Sequence, residues 1–295
     1  MIRRNLLNPT GLMLLYSMVA LSCVDGLTAI MPFLSGFFSG DLSRRAVIAE
    51  VVAFLPPIVA FYFLRQKSGE GVKWALPIPA RLWPFVGAVA LWVPIAALIV
   101  SFGVFTSVGD VLTEPAGAVG GTLGFFAACV LPAFLEELFI RGAVLTSVER
   151  GGSVFAVFFS ATCFAMLHAD MHNFLTPFLA GLVFGALTVW TGSVIPAILA
   201  HFCNNVFSYY AGGFIARISN WVNVEVILFA VLALFLILTY VALSQWQNML
   251  QRDDEGESQA GGKVSRQEAI YANLTSIPVI LYLLCFLHNV GVLAG

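Results

Sequence analysis

The residues best placed to do chemistry are Glu136, Glu137 and Arg141, three charges within six residues of an apolar run from about Gly117 to Thr146. A charged side chain at the centre of a membrane helix costs roughly 2.5 to 3.5 kcal/mol even on lenient insertion scales, so such a cluster implies function or pairing. On a helix Glu137 and Arg141 are four residues apart with the acid on the N-terminal side, the favoured order for an i,i+4 ion pair. Glu136 lies about 100° away around the axis. One carboxylate is expected to be held by the arginine and the other left to work.

Two further polar groups follow. Phe164 and His168 end one apolar stretch, and His201 and Asn205 stand four apart on another. Measured from the presumed cytoplasmic helix ends, Glu136 lies about 17 Å deep, His168 about 22 Å and His201 about 12 Å, all within a hydrocarbon core of about 30 Å. An acid, two imidazoles and an amide at similar depth are what a buried site for proton transfer and oxyanion binding needs. Singly, each has a plainer reading: a histidine or asparagine in a membrane helix often serves only as an interhelical hydrogen-bonding residue, as is expected of His288.

The elements that must position these groups are membrane helices. The chain is 60% hydrophobic and 10% charged, against about 45 to 50% and 25% in soluble domains. The fold expected is all-α: a polytopic transmembrane bundle of about nine spans, eight being possible, in a single membrane domain over residues 1–295 with its motif region at 117–210. The net charge of −2 and the lack of a basic patch give no reason to propose nucleic acid as a partner. The five cysteines lie in apolar segments without CxxC spacing and read as buried free thiols.

In chain order, spans are expected at about 10–38, 46–64, 82–104, 118–147, 153–168, 174–190, 193–210, 221–246 and 272–293. Asp25, in the first, is expected to be satisfied by a neighbouring helix. Pro132 removes a backbone donor and should bend the fourth span just before the acids, and Gly151-Gly152 should end it. Gly181 and Gly185 make a small-xxx-small face for close helix packing. Residues 247–268 read as a flexible polar connection. Lys and Arg number ten on one side of the membrane and three on the other, Arg141 excluded, which places the N-terminus in the cytoplasm.

Glu-Glu-x-x-x-Arg at Glu136, Glu137 and Arg141, Phe-x-x-x-His at Phe164 and His168, and His-x-x-x-Asn at His201 and Asn205 together resemble the CPBP family. These are the CAAX-protease and bacteriocin-processing intramembrane endopeptidases, which include the Ras-converting enzyme. Thr191 to Pro196 also resembles that family's approach to its third motif. The resemblance implies that Glu136, with His168, activates a water for attack on a peptide carbonyl, and that His201 and Asn205 stabilise the oxyanion. Glu137, Arg141 and Phe164 would support them.

Zinc remains open as a cofactor. His168 and His172 are four apart, but Ala169 stands where a His-Glu-x-x-His site carries its glutamate. Glu136, His168 and His201 could supply three ligands and leave a place for water. The metal-free mechanism, with no cofactor required, is the preferred expectation. The partners expected are the bilayer and a protein or peptide substrate in or at it, in a cell membrane. A secondary transporter relaying protons through buried acids and a non-catalytic scaffold or immunity protein are the competing functions.

Overall fold

The computed structural model describes residues 8–30, 42–68, 83–104, 121–218, 221–253 and 266–292. They form α1 (Pro9–Ile30), α2 (Leu42–Ser68), α3 (Trp83–Val104), α4 (Gly121–Gly151), α5 (Ser153–Leu167), α6 (Leu175–Thr191), α7 (Ile195–Ile218), α8 (Val224–Asp253), α9 (Arg266–Leu274) and α10 (Ile277–Asn289). No strand occurs among the described residues, and the all-α class holds. In a medium without water, helices satisfy every backbone donor within one segment.

Among the described residues, Ser43–Arg65 and Gly121–Gly151 are long and apolar enough to cross a membrane. The pair α9 and α10, bent by 46°, makes a third if it is one span. Five further apolar helical stretches, of 10–17 residues, include Ser153–Leu167 and Leu175–Thr191. At 1.5 Å per residue, the longest of these reaches about 25 Å. Large apolar side chains such as Phe63, Phe229, Leu236 and Tyr240 are exposed, as expected of surfaces solvated by lipid rather than water.

The bundle is built around α4, which packs against α2, α5, α6 and α7. One apolar cluster joins α1, α2, α4, α5 and α10 through Leu14, Phe54, Phe139, Phe164 and Tyr282. A second joins α3, α6 and α7 through Phe85, Val89, Phe184, Leu187 and Ala200. Polar clamps fix neighbours where lipid offers no hydrophobic drive: Tyr282 Oη donates to the Cys163 carbonyl at 2.7 Å, and Ser17 Oγ to the Ala53 carbonyl at 2.9 Å.

At Pro132, where the sequence predicts a bend, α4 runs on as one span and has a π-helical stretch over Phe126–Val130 just before the proline. Proline has no N–H for the residue four back, and its ring crowds that carbonyl; a wider turn relieves both. A second π-helical stretch, Leu138–Leu145, follows the acids at once, so Glu136 and Glu137 end a short α-helical segment between two wider turns. Gly152, at φ 96°, closes α4 as expected.

The polar connection is shorter than its sequence suggests, because α8 continues to Asp253 and α9 begins at Arg266; residues 254–265 lie outside the described ones, as does the side chain of Asp25. Of the cysteines, all free, Cys129 and Cys163 are buried as expected, whereas Cys23 is exposed on α1.

Candidate active site

Glu137 and Arg141 are both fully buried, and Nη1 of the arginine donates to Oε1 of the glutamate at 2.8 Å. The i,i+4 pair forms although Arg141 sits in the wider second turn. Three more groups hold the guanidinium. Its Nη2 donates to the Gly181 carbonyl of α6 at 3.0 Å, and its Cζ lies 4.6 Å from the Phe164 ring centroid and 5.3 Å from that of Phe184. A buried charge needs this many partners to offset its desolvation.

Gly181 allows the approach. A Cβ there would stand 3.0 Å from Ala161 Cα and 3.3 Å from Arg141 Nη2, and one at Gly185 would stand 3.2 Å from Val157 Cγ1. The small-residue face expected from sequence therefore packs α6 on α5. At Gly181 it also presents a backbone acceptor to the arginine, which spacing alone does not reveal.

Glu137 does more than hold Arg141. Its Oε1 also lies 3.0 Å from His201 Nδ1 on α7. A carboxylate paired with arginine only accepts, so Nδ1 carries a proton and Nε2 is the nitrogen turned to the remaining partner. That partner is Glu136, whose Oε2 lies 3.8 Å from Nε2. Phe184 stacks on the imidazole at 5.1 Å and 18°, and Phe164 meets it edge-on at 5.6 Å. The turn before α7 sets this register: Gly192 is left-handed at φ 67°, and Ser193 Oγ accepts from the Ile195 N–H at 3.3 Å.

His168 reaches the cluster through Phe164, whose ring it meets edge-on at 4.9 Å. Its Nδ1 lies 2.9 Å from the Phe164 carbonyl. A carbonyl can only accept, so Nδ1 donates, and in the neutral ring Nε2 keeps its lone pair for a water. No hydrogen bond or ion pair joins His168 to Glu136 among the described residues. Asn205 stands one turn after His201, its Oδ1 3.5 Å from Asn204 Nδ2.

The arrangement thus brings Glu136, Glu137, Arg141, Phe164 and His201 into one cluster and sets His168 at its edge against Phe164, with Asn205 one turn further along α7. Sequence reasoning missed Phe184, a ring platform inside an all-apolar segment that carries no distinguishing spacing. It also missed Glu50 on α2, whose carboxyl lies within hydrogen-bonding reach of Glu136. The signal for Glu50 was present: a lone acid inside an apolar span, the same signal that singled out Glu136.

Neither arrangement considered for zinc is assembled. α5 ends at Leu167 and Ala169 takes φ 50°, so His168 and His172 do not share a helical face. Asp170 Oδ1 instead accepts from the His172 and Asn173 N–H groups at 2.9 and 3.2 Å, making a turn. Among the described residues no three His, Cys, Asp or Glu side chains gather as a metal-holding group. Glu136, His168 and His201 do not fit a zinc set as they stand, and no chemical step is routed through one.

Residues 118–207 match the family model described as type II CAAX prenyl endopeptidase Rce1-like. Over this segment the chain is similar to the CAAX-protease family. It covers about a third of the chain, from the start of α4 into α7, and carries all three motifs. No curated protein and no solved structure matches the chain. That similarity supports an intramembrane protease in general. Glu50 lies outside the CAAX-protease segment, on a helix that the family model does not reach.

Proposed function

We propose that the protein is an intramembrane endopeptidase that hydrolyses a peptide bond of a membrane-associated or CAAX-type protein or peptide, without a metal. The observation that carries this reading is Glu136 facing His201 Nε2 while Glu137 holds the opposite ring nitrogen. A general base and an oriented imidazole meet in an apolar enclosure, beside a second histidine with a free lone pair.

In the proposed reaction a water bound between Glu136 and His168 Nε2 attacks the scissile carbonyl. Its proton passes to Glu136 as the C–O bond forms. His201, with both ring nitrogens protonated, donates from Nε2 to the developing oxyanion, and the Asn205 amide donates beside it. Glu136 then returns the proton to the leaving amine as the C–N bond breaks. The charges on Glu136, Glu137, Arg141 and His201 sum to zero in this state, which suits a buried cluster. The N-terminus faces the cytoplasm on this reading.

The test compares new peptide termini in membranes carrying the wild-type protein and Glu136→Gln. Glu136→Gln is expected to be made in normal amount and to lose every wild-type-specific terminus. Termini produced equally by both would end the assignment.

A further inference from the structure

Glu50 sits on α2, which packs against α4 along the segment that carries the acids. Its carboxyl lies within side-chain hydrogen-bonding reach of the Glu136 carboxyl. Oε2 of Glu50 and Oε2 of Glu136 are both buried, and neither has an N–H or O–H donor among the described residues. Ionised carboxylates only accept hydrogen bonds. Two of them, buried face to face, repel and leave both oxygens unsatisfied; a single proton between them removes the repulsion and satisfies the pair.

Among the described residues, the polar groups named below are committed elsewhere or too far away to donate to either oxygen. From α4, Glu137 and Arg141 face the pair, with Arg141 committed to Glu137 and Gly181. From α7, His201 faces it, with Nδ1 committed to Glu137 and Nε2 3.8 Å from Glu136 Oε2, beyond hydrogen-bonding distance. From α1, Tyr16 donates instead to the Val52 carbonyl and Ser17 to the Met13 and Ala53 carbonyls. With His201 doubly protonated, as in the proposed reaction, Glu136, Glu137, Arg141 and His201 balance in charge, and a second free carboxylate would leave a buried excess of one negative charge. A protonated Glu50 adds none.

We propose that Glu50 is a positioning residue of the active site, holding the Glu136 carboxylate in place through a carboxyl–carboxylate hydrogen bond with one shared proton. The inference rests on the reading of Glu136 as the base. Glu50 fixes one oxygen of Glu136, and the other takes the proton from water and returns it to the leaving amine. Glu50 keeps its own proton throughout, so the step balances without it. A glutamate turns about several bonds, and a misplacement of about 1 Å at a reacting group can cost on the order of 10²-fold in rate. The N-terminal part of the chain thereby completes a site whose other residues all lie in the CAAX-protease segment.

The experiment uses the full-length chain in four forms: wild type, Glu50→Leu, Glu50→Gln and Glu136→Gln. The first readout is the rate at which wild-type-specific peptide termini accumulate in membranes. Glu50→Leu is expected to slow it by about 10- to 10²-fold. Glu50→Gln, whose amide donates the same hydrogen bond, is expected to recover most of that loss. The second readout needs no substrate. The infrared C=O band of a protonated carboxyl group, recorded on detergent-purified protein, is expected in the wild type and lost in both Glu50→Gln and Glu136→Gln.

Wild-type rates in Glu50→Leu, no recovery in Glu50→Gln, or a carboxyl band that persists in both glutamine variants would overturn the inference. Should Glu50→Leu fail to fold, the near-isosteric glutamine variants and the band decide. Cleavage by Glu136→Gln would bring down the proposed function itself; an inactive Glu136→Gln beside a fully active Glu50→Leu would bring down only the role of Glu50.

Discussion

Glu137 Oε1 lies 3.0 Å from His201 Nδ1 across 64 residues of chain, and the same oxygen accepts Arg141 Nη1 at 2.8 Å. The second acid of the Glu-Glu pair is therefore more than the arginine's counter-ion. It ties α4 to α7 and decides which nitrogen of His201 points to Glu136. Arg141, through Gly181, Phe164 and Phe184, extends the same tie to α5 and α6.

Removing the arginine should therefore be felt as loss of folded protein. Arg141→Ala leaves Glu137 buried without its cation and is expected to destabilise by about 3 to 5 kcal/mol. Arg141→Lys keeps the charge but loses the planar fork that spans Glu137, Gly181 and two rings, and should fall between. Thermal unfolding of detergent-purified protein measures both; a normal midpoint for Arg141→Ala would show that the arginine is not structural.

Gly181→Ala tests the close approach of α6. Its Cβ would meet Ala161 Cα at 3.0 Å, and overpacking of this kind costs about 1 to 3 kcal/mol. Because the same position bonds Arg141, activity per folded molecule should fall as well. A variant with wild-type unfolding midpoint and cleavage rate would contradict this packing.

If Asn205 is one of two oxyanion donors, Asn205→Ala should retain residual cleavage, since one lost donor costs about 10²- to 10³-fold. The loss should appear in kcat with KM little changed. A rise in KM alone would place Asn205 in substrate binding instead.

Metal content and cleavage rate belong on the same purified sample. The metal-free proposal expects activity that survives a strong chelator and does not track zinc. About one zinc per chain, with removal ending cleavage and zinc restoring it, would sink that proposal.

The orientation proposal rests on the asymmetry of Lys and Arg. A cysteine placed by Ser258→Cys, in a cysteine-free background, should resist an impermeant thiol reagent in intact cells and react after lysis. Labelling before lysis would invert the topology.

The sequence by itself determined what depends on local spacing and on the cost of charge in an apolar run. The helical membrane class follows from composition. The Glu137–Arg141 pair follows from i,i+4 geometry, and the packing face of Gly181 and Gly185 from their spacing. The order of the three motifs, now found at α4, α5 and α7, follows from the chain itself.

What only the tertiary structure decided is how those helices are turned toward one another. A membrane helix apolar on all sides has no polar stripe to mark its inward face, so periodicity does not say that Phe184 stacks on His201 rather than on lipid. It does not say that the Gly181 carbonyl meets Arg141, or that Glu137 serves two helices. Glu50 is the sharpest case: its charge was visible in the second span, but its partner lies 86 residues away on another helix. Only the packing of α2 on α4 brings two acids, each costly alone, to where one proton can satisfy both.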